Sequence, residues 1–390
     1  MEGPPIENGA VIVSDERIRA VGKFSEIRKK YGHEEIVDLG EQVLLPGLIN
    51  AHCHLDYTCL RGKIPRQKSF TDWIRAINAE KAKLSPQDYV ASINQGFAEA
   101  KRFGTTTIAN LTAFPELVSQ VESPIRTWWF AELIDIRDPS RAKQIVDLAV
   151  EQLKTQKRWG LAPHAPFTAS ADLYRLAAQA APLLTTHLAE SREEMSMFRD
   201  AEGELYEFLI GIGRDIQNCR GTTPIERFTQ MFSTSRDVKK HWILTHLNEI
   251  CPQDFDLLRK LKPDVSIVHC PRSHAYFGHT QFQLQKLREL GLNVCLGTDS
   301  LASNQDLSLF AEMRSFKKEF PDVLPEEIFA MVTVNSARAL GQEGALGKIA
   351  PGFLADLIAI PVAGSASLFG EVVAFERPVE WSITGGRISA

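Results

Sequence analysis

Short apolar runs and longer amphipathic stretches alternate through the middle of the chain. Between residues 48 and 345 eight extended segments stand out: LLPGLINAH, TTTIANLT, IRTWWFAEL, WGLAPHA, PLLTTHL, HWILTHL, VSIVHCP and NVCLGTD. Short apolar runs of this kind are what strands buried on both faces look like. Helical patterns separate most of them, over 72–102, 140–157, 171–180 and 283–290, and the second connection is the shortest. The alternation predicts βα units, a parallel sheet and, with eight units, an α/β fold of the (β/α)8 TIM-barrel type. The longest connection, 191–240, is too long for a bare loop; it is expected to carry helices and to form a lid or one wall of a pocket.

The two ends follow a different pattern. AVIVSDERIRAVG alternates around a turn at Ser14-Asp15-Glu16, and EEIVDLGEQVLL offers two more extended runs. GALGKIAPGFLADLIAIPV and VEWSITGGRI are equally β-rich, with Gly and Pro as punctuation. The expected organisation is a barrel over 47–345, with 1–46 and 346–390 pairing in space as one small β-sandwich domain.

Composition narrows the class without choosing a function. The 390 residues are 44% hydrophobic and 24% charged, as in ordinary globular proteins. Lys and Arg total 44 against 49 Asp and Glu, a net charge of −5, so no basic field exists to attract nucleic acid or anionic lipid. No apolar run is long enough to cross a bilayer, and the N-terminus shows no signal-peptide pattern. Six scattered cysteines, with no C-x-x-C pair, fit a reducing compartment, and the expected location is cytoplasmic.

Chemistry enters with the positions of the histidines. Of ten, His52, His164, His187, His246 and His269 close predicted strands, His54 lies just beyond the first, and Asp299 closes the eighth. Strand C-termini form the active face of such a barrel, so these residues converge. His52 and His54 lie two apart on an extended segment and share a face. Together with His187 and Asp299 they make a set of three nitrogens and one carboxylate. That set suits one divalent ion, Zn²⁺ before Fe²⁺, and leaves a position open for water. No lysine or acid accompanies His164 in LAPHAP, which favours a single metal. Glu190, in THLAES, is placed to move a proton between an attacking water and a leaving group. His246 supplies a second polar group there, and His164 is placed to bond a substrate. His33, His241 and His279 are expected at the surface. Asn110 begins a glycosylation sequon, but it lies in a predicted barrel strand and is read as chance.

PGLINAHCH, APHAPFTAS, THLAES, HCPRSHAYFG and LGTDSLASN occur in this order, followed by GALGKIAPGFLADLIAI. In these motifs the chain resembles the amidohydrolase superfamily, in the branch of cytosine deaminase, S-adenosylhomocysteine and methylthioadenosine deaminases, aminodeoxyfutalosine deaminase and the triazine hydrolases. The resemblance implies one metal held by His52, His54, His187 and Asp299, Glu190 as proton shuttle, His246 orienting water and substrate, and His164 contacting substrate. It also implies a small-molecule substrate, and dimers are common among such relatives. Two departures stand out: the chain opens at what resembles the second segment of the small domain, PPIENGAVIV, and the seventh-strand motif ends Ser273-His274 rather than Ser-Asn.

The expected reaction is hydrolytic deamination of an aromatic amidine, with a 6-aminopurine nucleoside-like substrate preferred. A triazine hydrolase, a cyclic-amide hydrolase and a non-catalytic relative are the alternatives. Arg61, Trp73 and Phe167 are expected at the substrate, with Tyr57, Tyr276 and Phe277 as further aromatic candidates.

Overall fold

In the computed structural model, which describes residues 3–214, 220–233, 240–262, 265–364 and 367–389, the eight expected strands are present as one parallel barrel. They are Leu48–His54, Thr105–Thr112, Arg126–Leu133, Trp159–Pro163, Leu184–Leu188, Trp242–His246, Val265–His269 and Asn293–Leu296. Each pairs in parallel with the next. The eighth resumes at Asp299–Ser300, which pairs with the first and closes the cylinder.

Closure requires Gly297. A Cβ there would lie 2.7 Å from the His52 carbonyl oxygen, so only glycine lets the eighth strand pass so near the first. Gly297 N–H donates to His269 and Thr298 N–H to His52, each at 3.0 Å, and the chain then delivers Asp299 beside the histidine pair. The sequon asparagine Asn110 is fully buried, and its side-chain oxygen accepts from the Leu55 amide at 2.8 Å.

Helices cover the outside. The pattern over 72–102 resolves into two, Phe70–Lys81 and Pro86–Arg102. The break follows from local chemistry: Ser85 and Asp88 form a reciprocal capping box and Pro86 occupies the first turn, a strong helix start. The long connection carries helices Arg192–Asp200, Glu204–Gly211 and Pro224–Ser233. It is tied to the first βα loop, because the Glu193 carboxylate accepts from the Phe70 and Thr71 amides and Ser69 Oγ donates to Glu204 at 2.6 Å. Its first residues, Ser191, Arg192 and Glu193, line a cavity.

The chain ends meet as expected. Strand Gln42–Pro46 pairs antiparallel with Leu357–Pro361, which continues to Trp381–Thr384 and Arg387–Ser389. A hairpin, Gly9–Ser14 with Arg17–Lys23, turns at Asp15 and bonds to this sheet's approach through Ile18 to Phe353 and Ala355 to Glu16. Ile18, Ala355, Leu357 and Ile383 form the core between them. Two expectations are corrected. EEIVDLGEQVLL forms one strand rather than two, since Ile36 and Val37 are each half-exposed and have no sheet to bury them. The C-terminal segment is also not wholly β: Leu368–Ala374 is a helix, and Phe375 beyond it packs edge to face against the barrel helix residue Phe310.

Candidate active site

The first strand is buried along its whole length, and alternation brings His52 and His54 to the same side with ring centroids 4.9 Å apart. His187, at the end of the fifth strand, brings its Nε2 to 3.2 Å from His54 Nε2. Asp299 Oδ1 lies 3.8 Å from His52 Nε2 and 3.9 Å from His54 Nε2. Neighbours fix which atoms face inward. The His187 Nδ1–H donates to the His164 carbonyl at 2.9 Å, leaving Nε2 with its lone pair. His52 Nδ1 meets Thr245 Oγ1 at 3.2 Å, and Ser273 and Ser303 donate to Asp299 Oδ2 at 2.6 and 3.1 Å, which frees Oδ1.

His54 and His187 are neutral. Burial, then the neighbouring imidazoles, holds His54 well below the usual range and His187 at about 3. Asp299 is held well below the usual carboxylate range: burial opposes its charge, but the surrounding imidazoles, His52 first, outweigh it. Neutral imidazoles facing a carboxylate are the donor set of a transition-metal ion. The test of fit is His52 Nε2, which is fully buried and has no hydrogen-bond partner. Such an atom is costly unless something accepts its lone pair, and the three histidines offer nitrogens all within 4.8 Å of one another.

Backbone strain gathers at the same place. Ala189, His246, Leu247 and Asp299 adopt positive φ of 51°, 81°, 50° and 56°, rarely populated by residues with a side chain. The Ala189 carbonyl accepts from both Asn248 and Glu249, which locks the mouths of the fifth and sixth strands together. Between them, Glu190 brings a carboxylate oxygen to 3.6 Å from His246 Nε2. Its backbone is clamped, the amide donating to Glu194 at 2.7 Å and the carbonyl accepting from Asn248 at 3.0 Å. Burial, then the charges of Asp299 and Glu194, pushes the Glu190 carboxyl well up, and burial pushes the His246 imidazole well down.

A sequence model of the amidohydrolase family matches residues 43–375. The chain belongs to this family. Among curated relatives it is 28% identical to a 5-methylthioadenosine/S-adenosylhomocysteine deaminase of Moorella thermoacetica, covering 92% of this chain and 83% of that one. A 5'-deoxyadenosine deaminase of Methanothermobacter thermautotrophicus is 27% identical, with 90% and 81% covered. Among solved structures, Helicobacter pylori aminofutalosine deaminase in complex with methylthio-coformycin superposes with a TM-score of 0.84 at 22% identity, covering 97% of this chain and 94% of that one. A zinc-bound adenosine deaminase from Xanthomonas campestris gives 0.80 at 22% identity, with 98% and 88% covered. At these identities the structural matches establish the fold.

Around this amidohydrolase centre the remaining expected residues separate. His164 stands beside His187 with ring centroids 4.8 Å apart; its Nδ1 meets Thr168 Oγ1 at 2.7 Å and its Nε2 lies 3.9 Å from Glu132. Trp73 and Phe277 pack edge to face at 5.1 Å and line a cavity of about 150 Å³ next to Ser191, the neighbour of Glu190. Tyr57 stacks on His54 at 5.8 Å. Arg61 is not brought to the centre: its guanidinium pairs with Glu99 on the outer helix and its side chain is 40% exposed. Phe167 presents its edge to His164 at 6.1 Å but packs with Met197, Phe198 and Leu205, which makes it a core residue. Tyr276 is half-buried at the rim, its hydroxyl donating to the Ile64 carbonyl at 3.3 Å.

Sequence reasoning missed several residues. His279, expected at the surface, has a side chain only 6% exposed; it lies 4.0 Å from Glu249 and lines the same cavity. His241 is half-buried and bonds Ser266 at 2.9 Å, whereas His33 is exposed as expected. Ser273 and Ser303 were inside quoted motifs, HCPRSHAYFG and LGTDSLASN, and only Ser303, four residues after Asp299, stood near an acid in the sequence. Asp56 carried none, since only the fold reveals it as fully buried and pushed to about 7 by that burial.

Proposed function

We propose that this amidohydrolase is a hydrolytic deaminase that converts an aromatic amidine of the 6-aminopurine nucleoside type into a carbonyl compound and ammonia. The observation that carries the reading is the convergence of His52, His54, His187 and Asp299 with Glu190 and His246 at one barrel mouth. Substrate type follows from the curated relatives, which act on adenosine derivatives by name. Their agreement favours deamination over triazine or cyclic-amide hydrolysis, and the intact polar constellation argues against a non-catalytic role.

His52, His54, His187 and Asp299 would hold one divalent ion, with Zn²⁺ preferred; when bound, such an ion supplies Lewis acidity and lowers the pKa of water toward neutrality. Everything else is done by side chains. Glu190, with its raised affinity for protons, accepts one from the attacking water and passes it to the ring nitrogen beside the reacting carbon. That nitrogen takes up electron density as water oxygen bonds to carbon. His246, neutral and 3.6 Å from Glu190, orients the attacking oxygen by hydrogen bonding. Glu190 then takes the second proton, from the hydroxyl now on carbon, and delivers it to the amine; the carbon–nitrogen bond breaks, a carbonyl forms and ammonia leaves. His164, beside His187 and partly exposed at the mouth, is the substrate contact we favour, together with Trp73. We take residues 47–345 as the catalytic unit. A cytoplasmic location suits the five described cysteines, all free; among the described residues no helix is long and apolar enough to cross a membrane.

The test is ammonia release from 5'-deoxyadenosine, methylthioadenosine and adenosine, with cytosine and a chlorinated triazine alongside. The proposal expects turnover confined to the purine nucleosides. Release of chloride from the triazine, with purines untouched, would replace it.

A further inference from the structure

Behind the seventh strand, away from the residues assigned above, three more side chains with metal-ligating atoms come together. His269 closes that strand and is fully buried, and neither of its ring nitrogens has a hydrogen-bond partner. One face of its ring is covered by Phe282, stacked at 4.0 Å and 14°. His274, on the short helix Pro271–Phe277, stands edge to face against it with centroids 5.1 Å apart. Its Nε2–H donates to the Thr280 carbonyl at 2.7 Å, so Nδ1 keeps an uncommitted lone pair. Glu319 ends the helix Leu309–Glu319, and its carboxylate reaches the same spot from the far side. Ligand atoms from all three residues lie within 4.8 Å of one another.

We infer that His269, His274 and Glu319 form a second, structural binding site for a divalent ion of the zinc type. Two observations point the same way independently. A buried imidazole with both nitrogens unpartnered is rare, because buried polar atoms are nearly always satisfied. Two imidazoles and one carboxylate are also a known zinc donor set. In a tetrahedral zinc site the ligand atoms sit about 3.4 Å apart, so the group needs to close by at most about 1.4 Å, and half-buried Glu319 at a helix end has the freedom to do it. A surface cleft of about 730 Å³, lined by Phe282 and Glu319, adjoins the group. Ion binding there would pin the segment between the seventh strand and Phe282. That segment carries Ser273, which holds Asp299, and His279 at the cavity. The inference does not depend on the proposed reaction.

The experiment is a zinc count. The purified full chain is stripped with a chelator, reloaded with Zn²⁺, desalted and assayed for metal per chain. Two equivalents are expected for the native chain and one for each of Glu319→Gln, His274→Asn and His54→Ala. None is expected for His54→Ala combined with Glu319→Gln. Both Glu319→Gln and His274→Asn change side chains without opening the core, and neither lies in the catalytic machinery, so turnover is expected to persist. As a second readout, Zn²⁺ should raise the Tm of His54→Ala by several degrees and leave the double variant unmoved. A native chain that takes one equivalent, lost on His54→Ala, overturns the second site. So does a second equivalent that survives both Glu319→Gln and His274→Asn. Were the single equivalent instead lost on Glu319→Gln and kept in His54→Ala, the second site would stand and the catalytic assignment would fall.

Discussion

Two carboxylates at opposite ends of the barrel show how differently the fold treats its two faces. Asp356 lies where the small sheet meets the strand entrances, buried against Arg126, whose guanidinium donates to it, with the Gly385 amide donating to its other oxygen at 2.7 Å. Glu190, its side chain 12% exposed, has neutral His246 at 3.6 Å as its nearest cation-capable neighbour. The first carboxylate is satisfied and fastens the chain termini to the barrel. The second is left short of donors and holds its proton more tightly in consequence. Positive φ in residues with side chains repeats the contrast: among the described residues, apart from the turns at Asn8, Asp15 and Ala201, all such residues lie at strand mouths around the centre. The barrel spends stability at one face and recovers it at the other.

Substituting each carboxylate by its amide separates the two roles. Glu190→Gln should lower kcat by on the order of 10²–10⁴ while metal content persists and Tm holds or rises, because a buried acid of raised pKa is replaced by a neutral group. Asp356→Asn should do the reverse: stability falls by about 3–5 kcal/mol as Arg126, only 7% exposed, loses its charge partner, while kcat of the folded enzyme is kept. Chemical denaturation alongside steady-state kinetics checks both, and a Glu190→Gln enzyme with full turnover would end the contrast. A smaller effect is expected from the serines behind Asp299. Ser273→Ala or Ser303→Ala should each weaken metal retention by about tenfold, and the pair by about a hundredfold, read by chelator competition.

The eight strands were legible because each is a short apolar run bounded by polar residues, and the metal set was legible because His or Asp stands at three of the mouths, those of the first, fifth and eighth strands. What was illegible depended on contacts made across the fold. His279 sits in YFGHTQF, which reads as a surface turn; its burial comes from Glu249, in the loop after the sixth strand, and Phe277. Arg61 looks free in DYTCLRGK until the helix Pro86–Arg102 brings Glu99 to it. The helix break at Ser85-Pro86, by contrast, was written locally as a capping signal that the reading over 72–102 passed over.

The smallest expected effect lies between the two faces. Glu312 is buried under Arg272 and Asn304, and burial raises its carboxyl from 4.5 to about 8. A folded pKa above the unfolded one gives stability that is complete below pH 4.5 and is lost as pH rises through about 8. Glu312→Gln should therefore flatten part of the fall in Tm across that window, and an unchanged slope would show the group already neutral for another reason.

The central claim is that imidazoles from two distant strands share one ion and that turnover requires it. The direct measurement is metal content per chain together with ammonia release, in the native enzyme and in His187→Ala. The account predicts that the variant, still folded by circular dichroism, loses one equivalent of metal and its ammonia release together. A folded His187→Ala enzyme with native metal content and native turnover would contradict it.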